Sequence, residues 1–134
     1  MDERVINILL IDDDEVDVMT VKRAFARANI SNPIYVATNG LEGLEMLRKD
    51  AIPARRRLVL LDINMPKMNG IEATQEITAR YPNIIVIGLS VNADDDNYRA
   101  MTRAGAATLL TKEAAVGQIY ETMLAIRRDF CPIA

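Results

Sequence analysis

The chain has 134 residues, 50% of them apolar and 26% charged, with 19 acidic against 16 basic residues and a net charge of −3. That balance belongs to a soluble globular chain of one domain, and it excludes the basic footprint that direct nucleic-acid binding needs. Histidine is absent and cysteine occurs once. Their scarcity excludes histidine acid–base chemistry, histidine metal ligands, an internal phosphohistidine and an internal disulfide, and it fits a reduced, cytoplasmic setting.

Strand-like apolar runs alternate with helix-period segments along the chain. Residues 5–11 read as a first strand, too short and too acid-flanked for a signal peptide or membrane span. Asp12, Asp13 and Asp14 follow. A helix over 15–28 then aligns Val18, Val21, Phe25 and Ala28 in one apolar stripe. Asp14 suits its N-cap, with Glu15 and Asp17 at the positive end of the helix. Residues 34–37 form a short second strand, Thr38-Asn39-Gly40 a turn, and the next helix turns Leu41, Leu44 and Leu47 inward. The connection over 49–57 is polar, and its Arg55-Arg56-Arg57 run reads as a solvated loop.

In residues 58–62 four apolar side chains run straight into Asp62, the pattern of a strand buried on both faces. Met65 and Met68 read as loop packing, and Asn69-Gly70 closes that loop. A helix over 71–80 offers Ile71, Thr74 and Ile77 to the core before Tyr81-Pro82-Asn83 stops it. Residues 84–89 are a fourth strand with Ser90 at its end. A helix over 94–104, capped by an acidic run from Asp94, closes at Gly105. Residues 106–111 are a fifth strand ending at Lys112, and a last helix covers 113–128 with Val116, Ile119, Tyr120, Met123 and Ile126 on one face.

Five strands alternating with five helices predict one α/β domain over 1–134. Short right-handed crossovers favour a doubly wound, flavodoxin-like parallel sheet in the order 2-1-3-4-5. The switch point of that order lies between strands 1 and 3, where Asp12, Asp13 and Asp62 would converge. Carboxylates held together repel, so one must take a proton or a cation must join them, and an all-oxygen set with waters suits Mg²⁺. A carboxylate can also attack phosphorus, and phosphoryl transfer asks mainly for placement and compensation of oxygen charge. Lys112 and the Ser90 hydroxyl stand at the right strand ends to supply that compensation.

With these residues together, the chain resembles a response-regulator receiver domain of two-component signalling. The likeness rests on Asp12-Asp13, on Asp62 in Asp-x-Asn-Met-Pro-x-Met-x-Gly, on Ser90 and on Lys112, and it covers almost the whole chain. It implies that Asp62 is the phosphoacceptor. It further implies that Asp13, Asp62 and the Asn64 carbonyl bind Mg²⁺ directly, with Asp12 acting through water. Lys112 would pair with the phosphoryl group and Ser90 would move to hydrogen-bond it. The implied donor is a histidine kinase or phosphotransfer protein. Such a chain is no enzyme beyond catalysing its own phosphorylation and dephosphorylation.

Three positions depart from the family pattern. Glu113 follows the lysine where proline is usual, Leu109 stands where an aromatic ring usually reports the hydroxyl's movement, and Val91 replaces a smaller residue beside Asp62. The segment up to about residue 70 resembles single-domain receivers that partner bacterial phytochromes. From about Ile71 onward the chain resembles receivers of DNA-binding regulators or hybrid kinases, which suggests a recombined or designed chimera.

Other classes fit less well. A hydrolase of the haloacid dehalogenase type would want a second Asp where Asn64 stands. An FMN-binding flavodoxin would want a hydroxyl-rich first loop and flanking aromatics, whereas this loop is acidic and the chain has four Tyr, two Phe and no Trp. The stronger rival is a receiver-like interaction module or scaffold that is never phosphorylated. Only residues 129–134 follow the last helix, so output is expected through a protein partner or self-association, with no membrane contact.

Overall fold

The computed structural model describes residues 7–27, 32–49, 51–52, 57–63, 70–90, 95–111 and 121. The elements run β1 (Asn7–Ile11), α1 (Glu15–Arg27), β2 (Ile34–Ala37), α2 (Gly40–Arg48), β3 (Arg57–Asp62), α3 (Gly70–Arg80), β4 (Ile85–Ser90), α4 (Asp95–Ala104) and β5 (Thr108–Thr111). All neighbouring strands are parallel and their order is β2-β1-β3-β4-β5, as the sequence predicts. Of the last predicted helix, 113–128, only Glu121 is described, and it is helical.

Successive residues of a strand face opposite sides of the sheet, so a run apolar at every position must be covered twice. Ile8, Leu10, Leu58, Leu60, Ile87 and Leu89 pack on one face with Phe25, Val18 and Val21 of α1. Leu9, Ile11, Val59, Leu61 and Val86 pack on the other, with Leu47 of α2, Ala73 and Ile77 of α3 and Met101 of α4. Each such side chain contributes on the order of 1.5–3 kcal/mol when fully buried. The described helices thus divide one against three over the two faces.

Helix ends are set by local chemistry. The Asp14 carboxylate accepts the Val16 amide at 2.8 Å, which makes it the predicted cap of α1. Asn39, expected only as part of a turn, caps α2 by accepting the Glu42 amide at 2.8 Å, and the Thr38 hydroxyl donates to the Glu42 carboxylate at 2.7 Å. At the end of α4, Gly105 has φ 111°, its amide donates to Thr102 at 3.1 Å, and the Ala106 amide donates to Met101 at 2.9 Å. Those two bonds form a Schellman motif and satisfy the last carbonyls of the helix.

Two expectations are corrected. Leu41 is 54% exposed rather than inward. The buried line of α2 is Gly40, Gly43 and Leu47, because Gly43 lets the helix backbone approach Ile11 so closely that any side chain there would collide with it. Leu44 is half-buried against the core. The arginine run is not simply a solvated loop either: Arg57 is buried at the start of β3 and donates from Nη2 to the Ile52 carbonyl at 2.6 Å. That bond ties the α2–β3 connection to the sheet; Arg55 and Arg56 lie outside the described residues.

Candidate functional site

The strand register carries the acidic residues to one place. Ile11 pairs with Leu61 across β1 and β3, so Asp12 and Asp62 each stand one residue further on, side by side at the carboxyl edge. The Asp12 amide donates to the Ala37 carbonyl at 3.0 Å, which prolongs the β1–β2 pairing by one step. The Asp12 carboxylate accepts the Asp14 amide at 2.9 Å and is thereby held in position. Asp62 pairs with Leu89, and the next amide, of Ile63, donates to the Leu89 carbonyl at 3.0 Å.

Asp12 and Asp62 are each 2% exposed, whereas Asp13 is open to solvent. One carboxylate oxygen from each of the three can be chosen so that all lie within 4.8 Å of one another. Two full charges at that spacing repel by on the order of 3 kcal/mol at an effective dielectric of about 20. A cation among the three oxygens converts that repulsion into attraction. The donor set is all oxygen, and its open side at Asp13 leaves room for water, which fits a hard divalent ion. The arrangement can therefore hold a metal and place a carboxylate beside it.

Ser90 ends β4, is 1% exposed, and pairs with Thr111 at the end of β5. Lys112 follows Thr111 directly, and both Lys112 and Asn64 lie outside the described residues. The same holds for Val91, Met65, Met68 and Asp94. Leu109 is buried and paired with Gly88.

One residue that supports the site reads in the sequence only as the end of a loop. The Gly70 amide donates to the Ile63 carbonyl at 3.2 Å. A Cβ at Gly70 would lie 2.9 Å from the Asp62 carbonyl oxygen and 2.6 Å from Leu61 Cδ2. The first turn of α3 thus rests directly on the backbone that carries Asp62. Thr74, fully buried one turn later, donates to the Gly70 carbonyl at 2.6 Å and fixes that turn. The Asn69-Gly70 pair marks the place in the sequence, but only the fold reveals why the residue must be small.

A sequence model of the response regulator receiver domain matches residues 8–124, and the chain belongs to that family. It is a receiver of the two-component class. It is 31% identical over 123 residues to the transcriptional regulatory protein DegU of Brevibacillus brevis, a match covering 92% of this chain and 50% of DegU. The chain therefore spans about half the length of that relative. Among solved structures, the phosphorylated cyanobacterial phytochrome response regulator RcpA is 25% identical with a TM-score of 0.74, covering 97% of this chain and 96% of RcpA. The Mn²⁺-bound response regulator Rcp1 is also 25% identical, with a TM-score of 0.70 and coverage of 90% and 91%. Among the described residues no helix is long and apolar enough to cross a membrane.

Proposed function

We propose that this receiver takes a phosphoryl group on Asp62 from a phosphohistidine of a kinase or phosphotransfer protein. The observation that carries the reading is the gathering of Asp12, Asp13 and Asp62 within 4.8 Å at the carboxyl edge of the sheet. In the forward step an Asp62 carboxylate oxygen attacks phosphorus, the P–N bond breaks, and the departing imidazole takes a proton. In the return step water attacks the acyl phosphate, its P–O bond breaks, and Asp62 is restored with release of inorganic phosphate.

Asp13, Asp62 and the Asn64 carbonyl would hold Mg²⁺, with Asp12 acting through water. Bound there, the ion neutralises charge on a phosphoryl oxygen. Lys112 pairs with a second oxygen and the Ser90 hydroxyl donates to the third. RcpA in its phosphorylated form and Rcp1 with Mn²⁺ support this reading by likeness. On this account the protein is a cytoplasmic signalling phosphoacceptor and 1–134 is a single receiver domain. Output passes to a protein partner or through self-association. The two-parent origin of the chain stands as a proposal alongside; DegU and RcpA both align across residue 70, and one natural gene encoding the whole chain would overturn it.

The test is the intact mass after incubation with acetyl phosphate, run with and without Mg²⁺. A gain of one phosphoryl group that needs Mg²⁺ supports the reading. No gain from acetyl phosphate or from a phosphorylated kinase would leave the chain a scaffold with the receiver fold.

A further inference from the structure

Leu109 raises a mechanical question, because a leucine cannot relay the movement of Ser90 as an aromatic ring would. The space around it offers an answer. Val86, Gly88 and Ser90 alternate onto the same face of β4, the one covered by α4. Gly88 has no side chain, and the volume a Cβ would occupy is taken by two side chains and bordered by a third at ordinary contact distance. Met101 Cε would lie 2.6 Å from that Cβ, Leu109 Cδ1 2.8 Å, and Ile63 Cγ2 3.6 Å. Met101 comes from α4 and is 0% exposed. Ile63 is the residue after Asp62, and Gly88 stands two before Ser90.

A second line from Asp62 reaches the same methionine. Gly70 rests on the Asp62 carbonyl, and its own carbonyl accepts the Thr74 hydroxyl at 2.6 Å. The Thr74 oxygen lies 3.8 Å from Met101 Sδ. Both the sheet edge and the first turn of α3 therefore meet α4 at one flexible, polarizable side chain.

We propose that Met101, seated over Gly88, is the positioning residue that couples the Asp62 end of the sheet to α4 in place of the missing aromatic relay. The coupling rests on the reading of Asp62 as the phosphoacceptor. A shift of Ile63 or of the Gly88–Ser90 segment changes the space open to the Met101 methyl, and α4 re-seats to follow it.

The experiment is hydrogen exchange of the peptide covering 95–104, measured with Mg²⁺ before and after acetyl phosphate, with intact mass read in parallel. Gly88→Ala is the main variant. Its new methyl displaces only the far ends of Met101 and Leu109, so the fold can yield around it. The unsubstituted chain is expected to change exchange in 95–104 on phosphorylation. Gly88→Ala should gain phosphate within a few-fold of the same rate but lose more than half of that change. The double variant Gly88→Ala/Met101→Leu, in which the shorter side chain makes room, should recover it. Should Gly88→Ala fail to fold, Met101→Val, which withdraws the methyl from Gly88, takes its place and should show the same loss. A full response in 95–104 in the phosphorylated variant, or none in the phosphorylated parent, would overturn this coupling alone. Absence of phosphate on the parent would overturn the reading of Asp62 and the coupling with it.

Discussion

At the scale of single residues, the site is an arrangement of two buried carboxylates and one open one. Asp12 and Asp62 are sequestered while Asp13 faces solvent, so on the proposed reading an ion and its waters would enter beside Asp13. Replacing Asp13 with Asn removes one charge from a three-carboxylate set. Mg²⁺ affinity measured by calorimetry should fall by about tenfold or more, since ligand charge tunes such sites. Saturating Mg²⁺ at about a hundred times its dissociation constant should stabilise the parent by about 2.7 kcal/mol and raise Tm by several degrees. That gain should shrink in Asp13→Asn; an equal gain would remove Asp13 from the metal site. Gly70 makes a different prediction. In Gly70→Ala the new methyl meets the backbone of Ile63 and Asp62, which cannot swing aside. A cost of about 1–3 kcal/mol in urea unfolding is expected. The rate of phosphate gain should fall by up to about a hundredfold, because small misplacements of a reacting group are that costly.

At the scale of elements, strand ends and the inward faces of α1 and α3 are readable in the sequence, and the rotation of α2 is not. An apolar run that ends on a polar side chain marks both the strand and its last position, which is why Asp62 and Ser90 fall where the sequence places them. At Leu41 of α2 the leucine spacing suggests burial, whereas close approach at Gly43 decides the rotation. A glycine carries no hydrophobic signal, so its role appears only once Ile11 is seen beneath it. Arg57 is hidden for the converse reason: a charge at the end of an arginine-rich loop reads as solvated until its partner, the Ile52 carbonyl, is known. The cap at Asn39 is legible in Glu42 three residues on, although Thr38-Asn39-Gly40 alone reads as a turn. Asn39→Ala should cost about 1 kcal/mol and lower Tm by several degrees while leaving Mg²⁺ affinity unchanged. A loss of metal binding in that variant would mean that α2 supports the site.

At the scale of the whole molecule, the parallel sheet explains why the chemistry sits where it does. Doubly wound connections carry β2 and β3 to opposite sides of β1, and α1 and α3 cover opposite faces of the sheet, so Asp12 and Asp62 end neighbouring strands at the switch point where such folds bind ligands. Two separate cores hold the sheet between α1 and the group α2, α3 and α4. Phe25 is the largest fully buried side chain under α1, and Phe25→Ala should cost about 3–5 kcal/mol in denaturant unfolding. Because α1 begins three residues after Asp12, that loosening should also weaken Mg²⁺ binding. A variant with full stability would mean that α1 is held by something other than this core.

The claim on which everything else depends is that Asp62 carries the phosphoryl group. The most direct measurement is borohydride reduction after treatment with acetyl phosphate and Mg²⁺, followed by peptide mapping. An aspartyl phosphate is reduced to homoserine, and the account predicts that conversion at residue 62, with none in Asp62→Asn or without Mg²⁺. Conversion at another aspartate, or none in a chain that has gained phosphate, would contradict it.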